Sequence, residues 1–267
     1  MPPKFLYGKN GEILTEIRKK ILSRKKIILF SDYDGTLTPI VKVPSQAVLS
    51  VTMRKLLINL NHNAHGSFGI VTGREHEDIN KLLGIKNVLI ISNHGFRITD
   101  GKKTWIHPGV KRFETISKEI FIALEKALKN YKGVLVQNKK LSLTVNYRNM
   151  SGQTLPGIRK AVRHALKVYD GEIKITSGKK VIEARPNVDW DKGKAVLKIL
   201  NTKGARYRQK SIIYMGDDLT DEDVFKALDR SSITIHVGKK KNSSARFFVK
   251  NTHDIQKFLE WIVSNNN

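Results

Sequence analysis

IILFSDYDGTL, residues 27–37, turns abruptly from apolar to acidic. Ile27 to Ser31 is a short apolar run without helical spacing, which predicts a buried parallel strand. It ends at Asp32, and Asp34-Gly35 follows as a polar turn. The same grammar repeats downstream. Pro44-Ser45 opens a predicted helix to about Asn61, with Val48, Met53, Leu56, Leu57 and Leu60 at approximately helical spacing. A second strand, Phe68 to Val71, ends at Thr72-Gly73-Arg74. A helix through Ile79, Leu82 and Leu83 stops at Gly84, and a third strand, Val88 to Ile91, runs into Asn93-His94-Gly95. Strand, helix, strand, helix, strand predicts an α/β fold with a right-handed parallel sheet.

Beyond Asp100-Gly101, which marks a hairpin, the rhythm changes. A helix is predicted from about Lys111 to Asn130, then strands near 133–137 and 141–148, the second alternating as LSLTVNY. A helix from about 154 to 168 and strands at 172–176 and 181–185 repeat the pattern. This αββαββ order predicts a small α+β domain, residues 101–186, inserted into the parallel one. After Pro186 the parallel rhythm returns. It comprises a helix from Asp191 to about Leu200, a strand from Ser211 to Met215 ending at Gly216-Asp217-Asp218, and a helix near 221–228. Strands near 232–237 and 245–249 and a helix from about Asp254 to Val263 complete it. The core would therefore combine residues 1–100 with 187–267. Basic clusters at Arg18–Lys26 and Lys239–Lys241 read as solvated faces.

The chain has 267 residues and 40% hydrophobic content, enough to fill a core and too much for a disordered chain. It has no cysteine, which excludes disulfide frameworks, zinc–thiolate sites and cysteine nucleophiles. No apolar run approaches the roughly 20 residues of a membrane helix. The N-terminal MPPKFLYGKNGEILTEIRKK lacks the apolar stretch of a signal peptide, so a soluble cytoplasmic enzyme or binding protein is expected; a monomer with no membrane partner is expected as well. Against 24 acidic residues stand 49 basic ones, a net +25 that attracts anions. Of those cations 35 are Lys and 14 are Arg, whereas Arg is the better bidentate reader of phosphates and bases. No recognition helix, aromatic stacking motif or zinc-finger spacing accompanies the charge, so nucleic-acid binding is not expected.

Four loops, Asp32–Thr36, Thr72–Arg74, Asn93–Gly95 and Gly216–Asp223, each follow a predicted parallel strand. Ligands of open α/β sheets bind along that edge, so the loops should converge. Asp32, Asp34, Asp217, Asp218, Asp221 and Asp223 would gather negative charge there, which is costly unless a cation neutralises it. Carboxylate oxygens with several retained waters suit Mg²⁺. The alternative is that each loop merely caps a helix, a role Asp and Thr perform well. On that view Thr72 is a cap, Lys192 a solvated first-turn lysine, and His94 a hydrogen-bonded strand-end residue. Gly73 and Gly95 are then turn glycines, and Arg74 pairs with an acidic side chain.

SDYDGTL resembles the DxDGT signature of the haloacid dehalogenase superfamily of phosphotransferases. Thr72, Lys192 and GDDLTDED match its remaining motifs in order. DYDGTLTPI, VTGR, HG, EARP, KG and GDDLTDED together look like the trehalose-6-phosphate phosphatase family within it. The resemblance implies a Rossmann-like core with an inserted cap and a Mg²⁺-dependent phosphatase acting on a phosphorylated disaccharide, trehalose 6-phosphate. It implies Asp32 as the nucleophile that forms an aspartyl-phosphate, and Asp34 as general acid and then base. Thr72 and Lys192 would donate to the phosphoryl oxygens. Asp217 would bind Mg²⁺ beside Asp32 and the Asp34 carbonyl, with Asp218 and Asp221 supporting the metal or its waters.

The implied substrate contacts are Gly73, Arg74 and His94 in the core and Lys139, Arg148, Lys179 and Glu183 in the cap. Glu183 reads equally as the partner of Lys179 or Arg185 in a strand-edge ion pair. The chain departs from the family at Gln137-Asn138, where an acidic pair is common, and at Asn146, where a His is common. The catalytic set is untouched by these departures. Rival substrates are phosphates of sucrose, glucosylglycerol or mannosylglycerate type, and the rival class is a basic nucleic-acid-binding protein.

Overall fold

The computed structural model describes residues 2–8, 11–24, 26–62, 66–150, 155–178, 180–202, 204 and 210–265. It divides into two units, residues 1–105 with 190–267, and residues 106–189. The larger unit opens with β1 (Lys4–Phe5), α1 (Glu12–Arg24), β2 (Ile27–Ser31), α2 (Val51–His62) and β3 (Phe68–Val71). It continues with α3 (His76–Leu83), β4 (Leu89–Ser92), β5 (Arg97–Asp100) and β6 (Lys103–Ile106). The smaller unit runs through α4 (Lys111–Leu128), β7 (Leu135–Asn138), β8 (Leu143–Asn146), α5 (Leu155–Leu166), β9 (Ile173–Gly178) and β10 (Val181–Pro186). The chain then returns through α6 (Lys192–Thr202), β11 (Ser211–Gly216) and α7 (Glu222–Ala227). β12 (Ile233–Val237), β13 (Phe247–Val249) and α8 (Thr252–Asn265) close it.

Among the described residues the large sheet is ordered β1-β13-β12-β11-β2-β3-β4-β5-β6. β2 pairs in parallel with β11 on one side and β3 on the other. Later strands thus depart in opposite directions from the β2–β11 seam. Loops leaving the two strands diverge there and open a crevice, the place where α/β sheets hold ligands. Side chains alternate across the sheet, so Ile27 and Leu29 join α2 and α8 through Leu57 and Phe258. Ile28 and Phe30 instead face α6 and α7 through Ala195, Val196 and Val224. Both faces are covered, which is why β2 reads as an unbroken apolar run.

Three features differ from the sequence reading. α1 occupies a stretch read as a basic cluster, yet Ile17 and Ile21 are buried and anchor it to the core. The helix expected from Pro44 begins at Val51; Pro44–Gln46 is an isolated 3-10 turn and Val48 is exposed. The core also continues past residue 100, because β5 pairs antiparallel with β4 and β6 extends that sheet edge. Trp105 packs on Trp190, ring centroids 5.4 Å apart, where the chain resumes the core.

In the smaller unit β7, β8, β10 and β9 form an antiparallel sheet in that order. Val136, Val145, Ile182 and Ala184 face α4 and α5, meeting Phe113, Ile120, Ile158 and Val162. Alternation therefore places Thr144, Asn146, Glu183 and Arg185 on the opposite, polar face. Among the described residues no helix is long and apolar enough to cross a membrane.

Candidate active site

Asp32 follows directly on β2, and its N–H still donates to the Met215 carbonyl of β11 at 2.9 Å. That bond aims a buried carboxylate into the β2–β11 crevice. Gly35 then turns the chain at φ +81°, and a Cβ there would collide with the Asp217 carboxylate. Only glycine lets the two acidic loops approach so closely. Asp217 leaves the neighbouring strand end, where the Thr36 hydroxyl donates to it at 3.5 Å. Carboxylate oxygens of Asp32, Asp217 and Asp221 lie within 4.8 Å of one another, all three residues buried.

Lys192 opposes this charge. It is the first residue of α6, where the helix dipole disfavours a cation. Its ammonium donates to Asp32 Oδ1 and to Asp221 Oδ1, each at 2.9 Å. Burial works against its charge, but Asp221 and Asp32 outweigh that and raise its pKa. Asp221 is saturated by protein. Its Oδ1 also accepts from the Tyr214 hydroxyl at 2.7 Å, and its Oδ2 accepts the N–H groups of Asp217 and Asp218, both at 2.9 Å. With two bonds on each oxygen, Asp221 organises the loop and holds Lys192, and has no lone pair to spare for a metal. Burial opposes its charge, yet Lys192 holds it below the usual carboxylate range.

Burial pushes Asp32 the other way, well above that range; Lys192 pulls it down while Asp221 and Asp217 push it further up. Three buried carboxylates clustered about one ammonium leave a formal surplus of two negative charges. A divalent cation fits that deficit, and Asp32 and Asp217 are the carboxylates placed to bind it.

The other two loops are tied to this pair. Thr72, at the end of β3, accepts the Arg74 N–H at 3.2 Å through its hydroxyl oxygen, which leaves the O–H to donate elsewhere. Arg74 is buried, and its guanidinium is bonded to protein acceptors. Nε and Nη2 grip the two oxygens of Asp34 at 2.6 and 2.7 Å. Nη1 reaches Asp78 at 2.6 Å, and Nη2 also reaches the Pro44 carbonyl at 2.7 Å. The substrate contact implied for Arg74 is thus replaced by an ion pair, because its fork is filled by carboxylates. The His94 and Asn93 N–H groups donate to the carbonyls of Thr72 and Arg74 at 2.9 and 2.8 Å. His94 sits at φ 57°, an uncommon left-handed conformation for a non-glycine residue. Its ring lies where a Cβ on Gly73 would be, so Gly73 serves close packing.

In the smaller unit, Glu183 is buried and paired with Arg185, with Lys139 at 3.8 Å and the Thr144 hydroxyl at 3.4 Å. Lys179 lies outside the described residues. The Arg148 N–H donates to Asn146 Oδ1 at 3.0 Å. Asn138 Oδ1 accepts the Lys140 N–H at 2.8 Å, and its Nδ2 donates to the Ser117 carbonyl at 3.4 Å. Asn138 and Asn146 therefore both stabilise local turns. Tyr214, Thr36 and Asp78 escaped the sequence reading. Tyr214 alone had a visible signal, a hydroxyl inside an otherwise apolar strand.

The switch-point crevice, with its buried carboxylates and shared lysine, is the site of an α/β phosphoric monoester hydrolase, the class to which its sequence relatives belong. Residues 30–253 match the profile of the trehalose-phosphatase family. The chain is 32% identical over 263 residues to probable trehalose-phosphate phosphatase G of Arabidopsis thaliana, covering 90% of this chain and 69% of that protein. A crystal structure of a trehalose-6-phosphate phosphatase related protein superposes with a TM-score of 0.77 at 25% identity, over 89% of this chain and 97% of that one. The C-terminal domain of C. albicans trehalose-6-phosphate phosphatase shares the fold, with a TM-score of 0.80 at 22% identity, over 99% and 98% of the two chains. The chain belongs to the trehalose-phosphatase family.

Proposed function

We propose that the protein hydrolyses trehalose 6-phosphate to trehalose and phosphate, with Asp32 as nucleophile and Mg²⁺ as cofactor. One observation carries the reading: a buried Lys192 lies 2.9 Å from both Asp32 and Asp221, beside Asp217. A carboxylate oxygen of Asp32 attacks phosphorus while the bond from phosphorus to the sugar oxygen breaks. Asp34 gives that oxygen its proton, then takes one from the water that releases phosphate from Asp32. Lys192 and Thr72 donate to the phosphoryl oxygens as charge spreads over them. Asp32, Asp217 and the Asp34 carbonyl would hold Mg²⁺, with Asp218 supporting its waters. When bound, the ion supplies Lewis-acid neutralisation of the phosphoryl charge.

Sugar discrimination is assigned to the inserted unit, because the core loops bear groups suited only to the phosphoryl group and a metal. Its polar sheet face offers Glu183, Lys139 and Thr144 as paired donors and acceptors. The test is phosphate release from a panel of trehalose, sucrose, glucosylglycerol and mannosylglycerate phosphates, with Mg²⁺ and with EDTA. Trehalose 6-phosphate should be the best substrate, EDTA should abolish turnover, and Asp32→Asn should lose at least about 10³-fold in kcat while staying folded. Full activity in EDTA, or normal turnover by Asp32→Asn, overturns the mechanism. Preference for another sugar overturns the substrate alone.

A further inference from the structure

We infer that Arg74 is a positioning residue for the proton-transfer step, holding Asp34 through a fork that Asp78 and the Pro44 carbonyl keep in place. The inference rests on the reading of Asp34 as acid and base. Asp34 leaves the turn after β2, and its side chain is about a quarter exposed at 27%, so packing alone does not set its rotamer. Arg74 does. Two N–H groups of one planar guanidinium meet the two carboxyl oxygens at 2.6 and 2.7 Å, an arrangement that sets both direction and plane. Each oxygen gives one lone pair to the fork and keeps the other for a proton in flight.

The fork is itself pinned from three sides. Asp78, on the first turn of α3, takes Nη1 at 2.6 Å, and the Pro44 carbonyl takes Nη2 at 2.7 Å. The Tyr33 ring lies 5.7 Å below the guanidinium carbon. The Pro44 carbonyl is held in turn by its 3-10 turn, where it also accepts the Ala47 N–H at 3.2 Å. Lysine would not substitute, because one ammonium has no planar pair of donors.

The chemistry separates two steps. In the first, the Asp34 carboxyl proton passes to the bridging oxygen as the bond to phosphorus breaks and the Asp32–phosphorus bond forms. In the second, the Asp34 carboxylate takes a proton from water, whose oxygen displaces Asp32 from phosphorus. p-Nitrophenolate leaves without a proton, so p-nitrophenyl phosphate bypasses the first need for Asp34 and retains the second.

Rapid-mixing kinetics of the full chain with Mg²⁺ test the inference. For Arg74→Gln, kcat on trehalose 6-phosphate, or on the sugar phosphate the panel selects, should fall about 10²-fold with KM within about 3-fold. On p-nitrophenyl phosphate its first turnover should match wild type and later turnovers should slow, giving a burst near one product per enzyme. Arg74→Lys should behave like Arg74→Gln. Restored turnover in Arg74→Lys would overturn the inference, because charge alone would then suffice. A raised KM with kcat intact would make Arg74 a phosphate ligand, and equal slowing of first and later turnovers would make it merely structural. Should neither Arg74 variant fold, Asp78→Ala decides, since Asp78 is only half-buried on α3. A loss of about 3- to 10-fold in kcat with the first turnover intact supports the inference, and an unchanged kcat overturns it. Turnover by Asp32→Asn would instead sink the underlying mechanism, a result distinguishable from all of these.

Discussion

Asp221 shows how one side chain can decide a site without touching the reaction. Its two oxygens receive an ammonium, a phenol and two backbone N–H groups, with no solvent exposure. Asn at this position has one acceptor oxygen and one NH₂ group. Whichever way it faces, either the Asp217 and Asp218 N–H groups or Lys192 and Tyr214 meet a donor. Asp221→Asn should therefore destabilise the fold by about 3–5 kcal/mol, the usual cost of stranding a buried charge. Denaturant titration measures this, and a cost below about 1 kcal/mol would mean that water replaces the lost acceptor. Activity should fall with it, because Lys192 loses the partner that holds it at Asp32.

Short elements owe their placement to a few polar ties. α7 begins at Glu222, whose carboxylate accepts from Lys240 at 3.0 Å and from the Ser244 N–H at 2.8 Å. These bonds fasten α7 to the segment between β12 and β13. Burial opposes the charge, but the Ser244 N–H and Lys240 lower the Glu222 pKa below its ordinary 4.5. A depressed carboxylate pKa contributes stability above the unfolded value and loses it as pH falls through the folded one. Glu222→Gln should thus cost about 1–2 kcal/mol at neutral pH. The difference in Tm between variant and wild type should narrow as pH falls below the ordinary 4.5 and through the lower folded value. Thermal melts at neutral and acid pH check the sign; a gap that widens in acid contradicts it. α1 teaches a related lesson, because two buried isoleucines outweigh a run of exposed cations in setting its fate.

The charge of +25 belongs to the molecule rather than to its site. On α5 and just beyond, Arg159, Lys160, Arg163, His164 and Lys167 line a shallow hollow of about 550 Å³. The apolar side of that helix, Ile158, Val162 and Leu166, is consumed by the core of the smaller unit. What this hollow presents to a partner is chiefly positive charge. Binding to DNA should be weak, without sequence preference, and should vanish as salt rises through physiological strength. Titrating duplex and single-stranded DNA across salt concentrations measures this. Submicromolar affinity with sequence preference at physiological salt would point to a second function.

The sequence by itself determined the parallel core, the inserted αββαββ unit and the loops that carry Asp32, Thr72, Lys192 and Asp217. These were legible because buried strands, tight turns and acidic loops are local patterns. Tertiary structure decided what those residues do to one another. Whether Asp221 meets a metal or Lys192, and whether Arg74 meets phosphate or Asp34, depends on contacts between strand ends far apart in the chain. Tyr214 entered the site through such a contact, and the core boundary moved because β4 offered an open edge to β5. Hydrogen-bond saturation is a property of three-dimensional neighbourhoods, and no spacing along the chain encodes it.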